Sequence, residues 1–189
     1  MSEIDRARRA LARFRRLYAL PGVPVDVEEV AGSLFGLRVR MAAEFSPSSA
    51  APGGGRLSGL LLPDRREIWV RRDEPHARRR FTVAHEIGHW VLHAEVGRVY
   101  CRSSDLELAP DDRDHEVERE ANRFAAELLM PEDDVRAAAE RLGADPNLLA
   151  QMFGAHPVAM GYRLVNLGYL AELPIELEQV RREWAGRHT

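Results

Sequence analysis

The sequence predicts an α+β fold: a mostly helical chain with a small three-stranded antiparallel or mixed sheet, followed by a helix-turn-helix-like C-terminal part. Three observations carry this. Apolar residues recur at steps of three and four through most of the chain, the period of helices with one buried face. Strand-like segments are short and confined to residues 37–71. Proline and glycine then cut the second half into short helices.

The elements follow in order. Ile4, Ala7, Leu11, Phe14 and Tyr18 line one face of a helix over 3–19, with Arg on its outer face. Pro21-Gly22-Val23-Pro24 breaks it. Asp26 opens the next helix as an N-cap, with Glu29 its capping-box partner, and Gly36 ends it. Residues 37–41 alternate apolar and charged, a half-buried strand. A Ser/Pro/Ala/Gly loop fills 46–55, and strands over 57–62 and 67–71 flank the turn at 63–66 as a hairpin. Pro75 starts a helix reaching about His93. Residues 95–113 show little periodicity, with acidic charge at Asp111, Asp112 and Asp114. A strong helix over 114–130 stops at Pro131. Helices over 132–142, 146–153 and 157–167 follow, and a charged tail from Leu173 makes a partly packed helix. Residues 1–143 read as one domain, with 144–189 a helical extension packed on it in a single unit.

Composition narrows the function. At 189 residues, 45% hydrophobic and 30% charged, the chain suits one globular domain. Its net charge is −3 and every basic residue is Arg, which does not describe a general nucleic-acid binder. The single cysteine, Cys101, forms no internal disulfide. The N-terminus reads as an Arg-rich helix without an apolar leader, and no 18-residue apolar run exists. The expected setting is the cytoplasm, away from membranes.

Chemistry concentrates at His85-Glu86-Ile87-Gly88-His89, an H-E-x-x-H. On a helix a step of four advances about 400°, so both imidazoles lie on one face, roughly 40° apart. Both can reach one metal ion, and Glu86 projects beside them to take a proton from water. A catalytic zinc site needs a third protein ligand and an open position. The 114–130 helix offers Glu118 at the edge of its apolar face, with Asn122 one turn on to hydrogen-bond a ligand histidine.

Two runs give a more specific signal. Arg80-Phe81-Thr82-Val83-Ala84-His85-Glu86-Ile87-Gly88-His89-Trp90-Val91-Leu92-His93 resembles the active-site helix of the ImmA/IrrE family of bacterial metallopeptidases. Residues 118–131 resemble that family's second helix, E-x-x-A-N-x-F-A-x-x-L-L-M-P. A third match runs from Leu149 through Gly154, Ala159-Met160 and Arg163-Leu164 to Gly168, so the resemblance covers about 81–168. It implies a zincin-like fold and a gluzincin-like site: His85, His89 and Glu118 as ligands, Glu86 as general base, and Zn2+ or another divalent cation such as Mn2+. Glu120 is the rival third ligand; it sits about 200° round the helix from Glu118, so one of the two faces the site. The resemblance further implies a zinc endopeptidase cutting a specific transcriptional repressor, often a helix-turn-helix protein, in a stress or mobile-element response. The alternative is a non-cleaving regulator whose helix-turn-helix-like segment binds a repressor partner or DNA.

The remaining candidates each have a bland reading beside the sharp one. His93 lies one turn past His89 and drifts off the metal face, so it reads as a helix-end residue or a support behind a ligand sooner than as a ligand itself. His115 flanks Glu118 or is simply solvated. Tyr100 and Tyr162 could donate to a tetrahedral oxyanion or merely pack. Cys101 could block zinc as a redox-sensitive thiol; a lone loop thiol usually does nothing of the kind. Arg78-Arg79-Arg80 reads as a solvated face, with a docking site for an acidic substrate the lesser option. Residues 147–167 have helix-turn-helix spacing, but His156, Arg163 and Asn166 are a thin set for reading DNA.

Overall fold

The structure is a computed structural model that describes residues 1–18, 23–45, 57–93, 99–102 and 116–186. Eight helices and a four-stranded sheet occur among them. The loop expected over 46–55, the acidic cluster at 111–114 and His115 lie outside the described residues.

Helix α1 (Glu3–Tyr18) buries Ala7, Ala10, Leu11 and Phe14, the stripe that the helical period selects. Helix α2 (Val27–Phe35) begins as its sequence directs. The Asp26 carboxylate accepts from the Glu29 N–H at 3.0 Å. Gly36 closes it in the left-handed region, φ 64°, where a side chain would be strained. Strands β1 (Arg38–Ala42), β2 (Leu57–Leu62) and β3 (Glu67–Arg71) follow. A tight turn over Pro63–Arg65 joins β2 to β3, which pair antiparallel, while β1 joins β3 in parallel. The sheet is therefore mixed. A fourth strand, β4 (Val99–Arg102), adds antiparallel to β2 and gives the order β1-β3-β2-β4. Three strands were expected. The added one is four residues long, too short for its own alternation to announce it, and its pairing with β2 defines it.

Helix α3 (His76–Leu92) lies under the sheet and also touches α1, α2 and α4 (Glu116–Leu129). Enclosed on all sides, its residues from Thr82 to His89 are all buried. Helices α5 (Glu132–Leu142), α6 (Pro146–Phe153), α7 (Pro157–Asn166) and α8 (Ile175–Gly186) complete the chain. One hydrophobic cluster runs through the molecule, from Ala7 and Phe14 of α1 past Ile87 and Phe124 to Phe153, Met160 and Leu164. Burial of this apolar surface is the main force holding the helices on the sheet.

Two polar ties reinforce that packing. Arg80 is buried and donates to the carbonyls of Val25 at 2.8 Å and Gly154 at 3.0 Å, lacing α3 to the entry of α2 and the end of α6. Burial pushes its guanidinium pKa down. The expected solvated face at Arg78-Arg79-Arg80 thus fails at Arg80, whose length lets it reach carbonyls left open by turns. Glu127, on α4, accepts from Arg8 of α1 at 2.8 Å and pairs with Arg163 of α7.

Candidate metal centre

The H-E-x-x-H stretch sits mid-helix in α3, where five polar side chains are buried among apolar ones: Arg80, Thr82, His85, Glu86 and His89. Burying polar groups is costly unless they are matched, so such a cluster in a core helix calls for a reason. Its surroundings supply one. Helix α4 crosses α3 closely, because Gly88 presents no side chain to Ala121. A Cβ there would lie 3.1 Å from the Ala121 Cα and 3.2 Å from its carbonyl oxygen. This approach brings Glu118, three residues before Ala121, to the two histidines.

The His85 and His89 Nε2 atoms are 2.9 Å apart, and Glu118 Oε2 is 3.1 Å and 3.4 Å from them. Nitrogen and oxygen ligands of a tetrahedral zinc ion, each about 2.0–2.1 Å from it, stand about 3.3 Å from one another. The three donors therefore fit one face of such a site. Among the described residues they are the group of His, Cys, Asp or Glu donors that could hold a metal ion.

The electrostatics agree with this. Burial, chiefly, pushes His89 down to about 4. Burial works to raise the Glu118 carboxyl, but the two imidazoles beside it outweigh that and hold the group well below the usual carboxylate range. Near neutral pH His89 thus has a free lone pair and Glu118 is ionised, the states a divalent cation needs.

Asn122 fixes the first histidine. It is buried, and its Oδ1 stands 2.9 Å from His85 Nδ1. An amide oxygen only accepts, so His85 carries its proton on Nδ1 and turns the Nε2 lone pair toward Glu118. Glu120 is not part of the donor group: its Oε2 meets His93 Nε2 at 2.9 Å. The question between Glu118 and Glu120 is a geometric one, and the geometry favours Glu118. His93 Nδ1 in turn lies 3.3 Å from His89 Nδ1.

Glu86 is wholly buried against β2. A Cβ on Gly59 would fall 2.9 Å from Glu86 Oε1 and 2.4 Å from the Thr82 methyl carbon. The missing side chain at Gly59 is what leaves room for that carboxylate. A glycine inside a strand can signal such a close approach, yet the sequence reading passed over it. Tyr162 is half-buried on α7. Tyr100 and Cys101 pair through their backbones with Leu60 and Gly59 on β2.

The fold and sequence are similar to those of known proteins. A transcriptional regulator of Mycobacterium tuberculosis has a similar fold, with a TM-score of 0.61 at 22% identity over 85% of this chain and 46% of that one. The radiation response metalloprotease IrrE of Deinococcus radiodurans is 29% identical over 123 residues, which are 64% of this chain and 36% of that protein. Residues 45–165, which contain all three donors and Glu86, match the IrrE N-terminal-like domain, and the chain belongs to that peptidase family.

Proposed function

We propose that this chain is a zinc-dependent endopeptidase of the cytoplasm that cuts a specific transcriptional repressor, of helix-turn-helix type, in a stress or mobile-element response. The observation that carries the reading is the meeting of His85, His89 and Glu118 at one point, with Glu86 next to His85 on the same helix. The relative named for a radiation response supports the setting.

His85, His89 and Glu118 would hold the ion and leave its remaining position open. Zinc, when bound, supplies the Lewis acidity that makes water nucleophilic near neutral pH and polarises a peptide carbonyl. Glu86 accepts a proton on its carboxylate as water attacks, then delivers it to the departing amine. Asn122 keeps the His85 ring in its ligating tautomer. Strand β4 ends the sheet, and an extended peptide added along its outer edge would be held by backbone hydrogen bonds. Residues 144–189 act as one unit with 1–143, tied by Arg80 to the Gly154 carbonyl and by Arg163 to Glu127.

The rival reading as a DNA-binding regulator rests on α6 and α7, joined through Gly154 at φ 62°. Its basic side chains are committed elsewhere. Arg163 bonds the Met130 carbonyl and pairs with Glu127, and His156 accepts from the Val158 N–H as the α7 cap. Few side chains remain to meet phosphates or bases.

The test is to co-express the chain with candidate helix-turn-helix repressors, starting with any encoded beside it, and look for a cut product by mass spectrometry. Glu86→Gln should keep its metal and lose cleavage by at least about a hundredfold, the scale of one acid/base group. A fully active Glu86→Gln protein sinks the mechanism.

A further inference from the structure

His85 has Asn122 behind it; His89 needs an equivalent. From the contacts of His93 and Glu120 we infer that these two residues form a positioning relay that sets the tautomer and orientation of His89. The inference rests on the metal-site reading proposed above.

The direction of the relay follows from what each atom can do. Glu120 Oε2, a carboxylate oxygen, accepts, so His93 donates to it from Nε2 at 2.9 Å. A neutral His93 with its proton on Nε2 has a lone pair on Nδ1. That lone pair faces His89 Nδ1 at 3.3 Å, so His89 donates there. With its proton on Nδ1, His89 turns the Nε2 lone pair to Glu118 Oε2, 3.4 Å away, and to His85 Nε2, 2.9 Å away. Glu120, His93 and His89 thus make a hydrogen-bonded chain with a single consistent sense. It ends at the atom that would ligate the ion.

Position explains why these residues serve. His93 follows His89 by one helical turn, so its ring lies over the preceding turn, 5.3 Å from His89 centre to centre. It is the residue just past α3, and its side chain is 9% exposed. Glu120 stands at 37%, near enough to the surface for water to reach its carboxylate. Groups that orient a metal-bound histidine typically change metal affinity about 10–100-fold when removed.

The experiment measures Zn2+ affinity of the full chain by chelator competition, with the imidazole tautomers of the metal-free protein read by nitrogen-15 NMR. His93→Phe should weaken Zn2+ binding about 10–100-fold, and Glu120→Ala about tenfold. Glu120→Gln, which keeps an accepting oxygen, should restore most of that loss. His89 should be protonated on Nδ1 in the wild type and mixed in Glu120→Ala, with the melting temperature of the metal-free protein unchanged. Unaltered affinity and tautomer in both His93→Phe and Glu120→Ala would overturn the relay. So would a Glu120→Ala protein as empty of metal as Glu118→Ala, since Glu120 would then be a ligand. Failure of the wild type to bind Zn2+ overturns the proposed function and the relay together. Normal Zn2+ binding with no cleavage leaves the relay standing and removes only the peptidase reading.

Discussion

Helix α4 carries two carboxylates with opposite company, one half-buried and one buried. Glu118 faces two imidazole nitrogens; Glu127, nine residues on and about half a turn round the helix, faces Arg8 and Arg163. The Glu127 side chain is 2% exposed and its charge is met by guanidinium groups that are always cationic. Glu118 is 20% exposed, and one of its histidines, His89, is held neutral by burial. A carboxylate matched by arginine is complete within the protein. A carboxylate that faces an imidazole held neutral still calls for a positive charge, and an ion can supply it. The partner, more than the carboxylate, separates a structural tie from a candidate metal site.

The contrast can be broken in two crossed substitutions. Glu118→Ala should empty the site, with Zn2+ affinity falling by more than the roughly 100-fold that marks residues merely supporting a ligand. It strands no permanent cation, so the metal-free protein should lose only about 1 kcal/mol of stability. Glu127→Ala should do the reverse. It leaves Arg163, whose side chain is 11% exposed, without its carboxylate, a change that typically costs about 3–5 kcal/mol. For a chain of this size that lowers the melting temperature by roughly 6–20 °C. Metal content per folded molecule should not change. Calorimetry and elemental analysis of both variants check the pair; a Glu127→Ala protein that folds normally but binds no metal erases the distinction.

Acid sharpens it next. In the metal-free protein His89 titrates at about 4, against 6.5 for an ordinary histidine. Between those values the unfolded chain binds the additional proton, so stability falls as the pH drops from 6.5 toward 4. The shift corresponds to at most about 3 kcal/mol. Glu118 acts in the same sense lower down, losing its contribution as the pH falls below 4.5. His156, also shifted down by burial, adds to the slope, which is why the comparison is with His89→Gln. That variant should show a flatter fall of melting temperature between pH 6.5 and 4.5; an equal slope refutes the assignment. The arginines around Glu127 keep their charge throughout this window.

The two regions were also unequally legible in the sequence. The meeting of His85, His89 and Glu118 was readable because helical spacing converts directly into shared faces. The limits of α2, β2 and β3 were readable because Asp26, Gly36 and the Pro63 turn act locally. Arg80 and Glu127 were not, since a charged residue on a helix is ordinarily solvated. Their burial depends on partners far along the chain, 119 residues away for Arg8 and Glu127. Strand β4 was missed for the same reason: its existence lies in pairing with β2. The contact of Glu120 with His93 was not readable either, since rotation about α4 says nothing of what stands at the end of α3.

The smallest expected effect tests the geometry that makes the two ends of α4 differ. Gly88→Ala would gain roughly 1 kcal/mol of helix propensity. It would also place a Cβ 3.1 Å from the Ala121 Cα and 3.3 Å from Phe124 Cδ1. The first of these atoms belongs to the α4 backbone and cannot swing aside, so the helices must part by a few tenths of an ångström, at a cost of about 1–3 kcal/mol. The balance is a loss of at most about 2 kcal/mol, a modest fall in melting temperature. Zn2+ affinity is the sharper readout, because Glu118 and Asn122 ride on the part of α4 that moves. A drop of up to about tenfold is expected, within the range for displaced supporting groups. Glu127 lies away from this contact, so its tie to Arg163 should survive. Unchanged affinity in a correctly folded Gly88→Ala protein would mean that the close crossing at Ala121 serves packing alone, and that the donors tolerate a looser seat than their spacing suggests.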